Sequence, residues 1–315
     1  MSLEIRNISK AYKDLEALKD FHFKLDSGEC LALLGPNGAG KTTAIKALVT
    51  LLIPDSGEFL WNGEDLFPKP EKIRDLVGYI SQEIAMDKVL TGMEFMKLSA
   101  GLLHLPWRKT QPKAEKLIEK LDLTQAANRP VGQYSGGMKR RLDLASALLH
   151  DPKILILDEP TTGLDIEARE LIWKLLNDYR QEGGRILLVS HDFREIDALS
   201  DQILILRKGL TAAKGTPTEL RKGLGSYIVR LQTKEFMDGD QIQKVQASFN
   251  SWTEPLRWLQ NEDSVIFTYP TPIELSDLQT KIHQHCKANE FPVHLLNVQS
   301  PSLEDVYRFA VGDVT

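Results

Sequence analysis

At 315 residues and 42% hydrophobic content, the chain has room for more than one core. A net charge of −5 speaks against a general polyanion binder, and two cysteines, Cys30 and Cys286, cannot make a disulfide framework and fit a reducing cytosol. The opening "MSLEIRNISK" lacks a signal peptide's apolar stretch, and no run nears the ~18 apolar residues that cross a bilayer, so any membrane role is expected to go through a partner.

In chain order, "CLALLG" (Cys30 to Gly35) reads as a strand, and "GPNGAGKTT" (Gly35 to Thr43) follows it and opens a helix. Thr91 to Leu103 reads as a second helix, with Thr91 as N-cap and Glu94 three residues on completing a capping box. Ser135, Gly136 and Gly137 start a helix-like run that carries Lys139, Arg140 and Arg141. "KILILDE" (Lys153 to Glu159), "RILLVSH" (Arg185 to His191) and "DQILILRKG" (Asp201 to Gly209) read as strands, with a helix from Ile166 to Gln181 between the first two. The first two are apolar on both faces, so both faces should be covered, as in a parallel α/β sheet.

A break rich in Gly, Pro and charge falls at "KGTPTELRKGLG", residues 214 to 225. Beyond it come a strand (Ser226 to Thr233), a helix from Asp240, and the hairpin "LRWLQ-NED-SVIFTY". An amphipathic helix (Ile273 to Lys287), the strand "FPVHLLNV" and a last helix at "PSLEDVYRF" follow. The order βαββαβ predicts a small ferredoxin-like sandwich. Nine Lys and Arg against twelve Asp and Glu from residue 221 onward make it a poor nucleic-acid clamp.

"GPNGAGKTT" fits G-x-x-x-x-G-K-S/T in the strand-to-helix setting that gives that pattern its meaning. Gly35, Gly38 and Gly40 let the backbone curl round an anion, and the N–H groups of Gly38, Ala39, Gly40, Lys41, Thr42 and Thr43 would face the phosphates of a nucleotide, with Asn37 in the same loop. Lys41 would add a point charge and the Thr42 hydroxyl would ligate Mg²⁺. A plain Gly-rich turn is the alternative, and the strand and helix on either side weigh against it. Asp158 and Glu159 close a buried strand, where ligands of open α/β sheets bind. Neighbouring side chains on a strand point opposite ways, so the two can divide the work: Asp158 on Mg²⁺, directly or through water, and Glu159 on an attacking water.

"YSGGMKRRLDLASALLHDPKILILDEPTTGLD", residues 134 to 165, resembles the signature-to-D-loop block of ATP-binding cassette (ABC) ATPases, and the likeness spans about the first 220 residues. It implies an α/β P-loop cassette over residues 1–220, with a mixed sheet core and a helical subdomain at about 85–150, and a small α+β accessory domain over 221–315. The resemblance also implies roles. Gln82, in "YISQE", would be the Q-loop glutamine that touches Mg²⁺ and faces the membrane subunit. Asp165 would be the D-loop aspartate, His191 the switch histidine on the γ-phosphate, and Tyr12 the aromatic that stacks on adenine. Two copies would dimerise head to tail, so that Ser135 and the N–H groups of Gly136 and Gly137 reach a γ-phosphate held by Lys41 of the other copy.

Tyr134 and Met138 stand where the common signature has Leu and Gln. With "TTGLD" and "PSLEDVYRFAVG" they resemble the drug-resistance (ABC-2 type) exporters. The implied function is the ATP-hydrolysing subunit of an exporter of drugs, lipid-like compounds or other amphiphiles. It would use ATP and Mg²⁺ and act on polytopic membrane permease subunits from the cytoplasmic face. The alternatives are an importer ATPase, or an ABC ATPase acting on nucleic acid or ribosomes, for which this acidic chain shows no long coiled coil or second cassette. Nucleic acid is not an expected partner.

Plainer readings stand beside these roles. His191 precedes a helix for which Asp192 and Glu195 would form a capping box. Tyr12 could be a hairpin aromatic. "HQHC", His283 to Cys286, puts its two histidines on opposite sides of a helix, which argues against metal. Lys139, Arg140 and Arg141 would attract nucleotide or form a solvated helix face. Met86 and Met93, just after the Q-loop, would dock a coupling helix or pack a helical subdomain.

Overall fold

The first two strands bury Leu3, Ile5 and Ile8, then Leu18, Phe21, Phe23 and Leu25, and turn most of their charged side chains to solvent. They form an antiparallel hairpin, β1 (Leu3–Tyr12) and β2 (Leu15–Leu25). The computed structural model describes residues 2–13, 15–233, 239–250, 257–260 and 264–312. It divides into two units, Met1–Thr211 and Ala212–Thr315.

The first unit continues through β3 (Cys30–Leu34), α1 (Lys41–Leu48), β4 (Ser56–Trp61), β5 (Glu64–Asp65), α2 (Pro70–Leu76) and β6 (Val77–Ile80). Three helices follow, α3 (Gly92–Leu102), α4 (Trp107–Lys120) and α5 (Gly136–Ala147). Then come β7 (Ile154–Asp158), α6 (Ile166–Gln181), β8 (Arg185–Val189), α7 (Phe193–Leu199), β9 (Gln202–Arg207) and β10 (Leu210–Gly215), in which the chain passes into the second unit. One sheet has the order β2-β1-β4-β5 and the other β10-β9-β3-β8-β7-β6. In the second, β9, β3, β8, β7 and β6 run parallel.

Both faces of this parallel sheet are covered, as its double-sided apolar strands require. Leu155, Leu157, Ile186 and Leu188 pack with Met96, Ala114, Ile118 and Leu142 of the helical region. Ile154, Ile156, Leu187 and Val189 pack with Ile45 of α1 and with Ile5, Phe21 and Phe59 of the antiparallel sheet. The capping box expected at the start of α3 is present, with the Glu94 backbone N–H donating to Thr91 Oγ1 and the Thr91 N–H to the Glu94 carboxylate. Met86 and Met93 both lie half-buried against the helical core.

The second unit holds α8 (Pro217–Lys222), β11 (Tyr227–Thr233), α9 (Gly239–Asn250), β12 (Trp258–Gln260), β13 (Ser264–Tyr269), α10 (Leu275–Ala288), β14 (Val293–Gln299) and α11 (Leu303–Val311). Its four strands pair antiparallel in the order β12-β13-β11-β14, the ferredoxin-like arrangement. The hairpin turn, 261–263, lies outside the described residues. Of "HQHC", Cys286 is buried and the His285 ring packs 4.6 Å from Phe249 and touches the Ser248 hydroxyl. Among the described residues no helix is long and apolar enough to cross a membrane.

Candidate active site

β3, β8 and β7 are parallel neighbours, so the segments that leave their carboxyl ends emerge side by side. The first is the glycine loop into α1. Gly38 and Gly40 have φ of +78° and +108°, values that side chains resist, and a Cβ on Gly40 would sit 2.4 Å from the carbonyl oxygen of Ala17. α1 starts with no side-chain cap and no acidic residue in its first turn, which leaves its first N–H groups for an outside anion. Lys41 Nζ donates to the carbonyls of Gly35 (2.5 Å) and Pro36 (3.1 Å) of its own loop. Burial lowers its pKa, and the charges of Glu159 and Asp158 oppose that shift.

A cleft of about 340 Å³ opens there, and it brings together Tyr12, Asn37, Gly38, Ala39, Gly40, Lys41, Thr42, Thr43, Gln82, Asp158, Glu159 and His191. Gly35 lies beneath the loop, where a Cβ would meet the Leu206 carbonyl at 2.5 Å. Asp158 is half-buried, and burial and then the adjacent Glu159 raise its pKa, against the opposing charges of Arg140 and Lys41. Glu159 is 9% exposed and has a left-handed backbone, φ +54°. Its Oε2 accepts from the Thr162 hydroxyl at 2.8 Å. Its Oε1 is buried and has no hydrogen-bond partner among the described residues; His191 Nε2 is 3.2 Å away but not aligned for one. The His191 side chain is largely exposed at the rim, and Tyr12 carries the Lys10 ammonium 5.9 Å from its ring centroid.

Ser135, Gly136, Gly137 and Asp165 are not in this cleft. Ser135 caps α5, its Oγ accepting from the Met138 N–H at 3.2 Å, and Asp165 caps α6 through the Ala168 N–H at 2.8 Å. Gly136 is exposed, has no positive φ, and a Cβ on it would meet nothing within 4 Å. Packing among the described residues therefore gives no reason for glycine at that position. Tyr134, the departure from leucine, is buried and donates to the Ala126 carbonyl at 2.6 Å, so the larger side chain finds both volume and a partner; Met138 packs half-buried beside it.

Two sequence expectations need correction. Arg140 is on neither a solvated face nor the cleft: it is 4% exposed, with Nε donating to Pro160 O (3.0 Å), Nη1 to Ser81 O (2.5 Å) and Nη2 to Asp158 O (2.6 Å) and Glu159 O (2.8 Å). Four carbonyls offset its desolvation, and helical spacing from buried Leu144 is the signal that it faces inward. Arg141 turns likewise to the Leu121 carbonyl at 2.9 Å. The capping box at α7 is absent: Asp192 caps through the Arg194 N–H, while Glu195 is fully buried and accepts from Thr161 Oγ1 (2.8 Å) and Trp173 Nε1 (3.1 Å). Buried donors outcompete the exposed cap for its carboxylate.

Free helix N–H groups and one lysine on a glycine loop, facing oxygen donors across a cleft at the strand ends, suit a triphosphate, and on this sheet they define a P-loop ATPase. The ABC transporter family profile matches residues 18–162. The chain is 34% identical over 319 residues to the doxorubicin resistance ATP-binding protein DrrA of Mycobacterium tuberculosis, covering 100% of this chain and 95% of that protein. It is 34% identical over 313 residues to the Nod factor export ATP-binding protein I of Rhizobium sp. strain N33, covering 99% and 97%. A solved dimeric ATP-binding cassette in a post-hydrolysis state, bound to ADP and Pi, matches with a TM-score of 0.61 at 25% identity, over 68% of this chain and 98% of that one. The chain belongs to the ABC transporter family, as an ATP-hydrolysing ATP-binding subunit similar to those named for drug resistance and Nod factor export.

Proposed function

We propose that two copies of this chain join head to tail around ATP and drive a separate membrane permease that exports an amphiphile. The observation that carries the proposal is Gly136: an exposed glycine at an uncluttered helix start, demanded by none of the described residues, suits close approach of a phosphate held elsewhere. A solved similar cassette that is dimeric with ADP and Pi bound supports a dimer.

Within one copy, the N–H groups of Gly38, Gly40, Lys41, Thr42 and Thr43 would cradle the phosphates, whereas the Ala39 N–H, also expected there, is taken by the Pro36 carbonyl at 3.1 Å. Lys41 would leave the carbonyls of Gly35 and Pro36 for the β- and γ-phosphates, and Tyr12 would stack on the base. Thr42, Gln82 and Asp158 offer hydroxyl, amide and carboxylate oxygens, the hard donors that Mg²⁺ takes. The raised pKa of Asp158, caused by burial and by Glu159, marks negative charge that a divalent cation would offset. Bound Mg²⁺ would spread the charge of the phosphate oxygens. Glu159 would accept from the attacking water through its unpartnered Oε1 while Thr162 fixes the other oxygen, with His191 beside it. Ser135, Gly136 and Gly137 would close the site from the second copy, and Asp165 would lie along the shared seam.

The permease would hold the chain at the cytoplasmic face of the membrane. An amphiphilic cargo is supported by relatives named for doxorubicin resistance and Nod factor export. Inside-out vesicles carrying this chain with its copurifying membrane protein should accumulate such a compound only with ATP. Lack of any copurifying membrane protein, together with salt-sensitive binding to nucleic acid, would contradict the exporter reading.

A further inference from the structure

We infer that Arg140 is a positioning residue for hydrolysis: its guanidinium clamps three consecutive carbonyls, Asp158, Glu159 and Pro160, and so holds the turn that presents the Glu159 carboxylate to the cleft. The inference rests on the reading of Glu159 as the residue that handles the attacking water.

Glu159 is not glycine, yet its backbone is left-handed, a strained conformation that persists only where the surroundings over-determine it. Its own N–H is anchored to the Val189 carbonyl at 2.8 Å. Three successive carbonyls would ordinarily point apart; here they converge on one planar cation, and convergence is what closes the turn. The fourth bond, from Nη1 to the Ser81 carbonyl, ties that turn to the residue preceding Gln82. One side chain thus fixes the relative placement of the two segments that face the phosphates. Asp143, three residues along α5, supplies a countercharge 3.6 Å from Nη1. Only arginine has donors for this geometry: its fork reaches four acceptors on two sides, whereas lysine presents a single nitrogen.

An ordinary buried staple would stabilise the fold and do no more. The two roles part in kinetics. Arg140→Lys is expected to slow single-turnover ATP hydrolysis about tenfold to a hundredfold, since small misplacement of a catalytic group has effects of that order, with ATP affinity within about twofold of wild type. Combined with Glu159→Gln, it should slow hydrolysis no further than Glu159→Gln alone, because both changes remove the same contribution. Adding methylguanidinium to Arg140→Ala should recover part of the lost rate. Wild-type turnover in Arg140→Lys, parallel loss of ATP affinity, or multiplying losses in the double variant would overturn the inference. Should Arg140→Lys fail to fold, Arg140→Gln takes its place under the same criteria. A Glu159→Gln protein with undiminished turnover would instead sink the reading of Glu159 itself, a separately visible result.

Discussion

Glu159→Gln is expected to bind ATP as tightly as the parent and to hydrolyse it roughly a hundredfold more slowly or worse, the size of effect of removing a general base. The reason lies in the two carboxylate oxygens. Oε2 is occupied by the Thr162 hydroxyl, and an amide oxygen can keep that bond. Oε1 is buried and unpartnered, so it is the atom free to accept from water, and an amide nitrogen there cannot accept. The loop that would hold the phosphates, Gly38 to Thr43, is untouched, so affinity should be spared. Stopped-flow or quenched-flow hydrolysis beside equilibrium ATP binding separates the two. Parent-like turnover would remove Glu159 from the chemistry.

A bulky residue at Ser135, such as Ser135→Arg, should leave ATP binding by a single copy intact and cut turnover by roughly a hundredfold or more, the scale of losing one phosphate-facing donor in a closed site. The side chain is exposed and lies outside the cleft that holds Lys41, so binding in one copy has no use for it. Losing the cap on α5 costs about 1 kcal/mol and should show as a small fall in the urea midpoint, not as unfolding. Equal loss of ATP affinity and turnover would argue that Ser135 serves the nucleotide of its own chain, and that no second copy is involved.

How far the residues alone disclosed this site depended on where each one's partners lie. β3, β7, β8 and β9 were legible because strands buried on both faces are apolar throughout, whereas β1 was not, because Asn7, at φ +47°, and a register shift between Ile5 and Ile8 break the alternation that marks a strand. The glycine loop and the Asp158–Glu159 pair were legible from type and spacing, since phosphate and metal chemistry restrict both. The spacing from Leu144 hints that Arg140 faces inward, but its acceptors are backbone carbonyls of residues 81 and 158 to 160, which leave no trace in composition. Glu195 was misread for the same reason: Thr161 and Trp173 are distant in sequence, and only folding brings their donors to it. The left-handed backbone of Glu159 has no sequence signal at all, as glutamate is not a residue that seeks it.

In the proposed dimer ATP is shared between copies, one supplying Lys41 and the other Ser135. Sedimentation of the Glu159→Gln protein over a concentration series, with and without Mg²⁺ and ATP, tests it most directly. The expected result is a nucleotide-dependent dimer that vanishes when Ser135→Arg is added to the same chain. A protein that binds ATP yet sediments as a monomer at every concentration, with its membrane subunits present as well as without them, would contradict it.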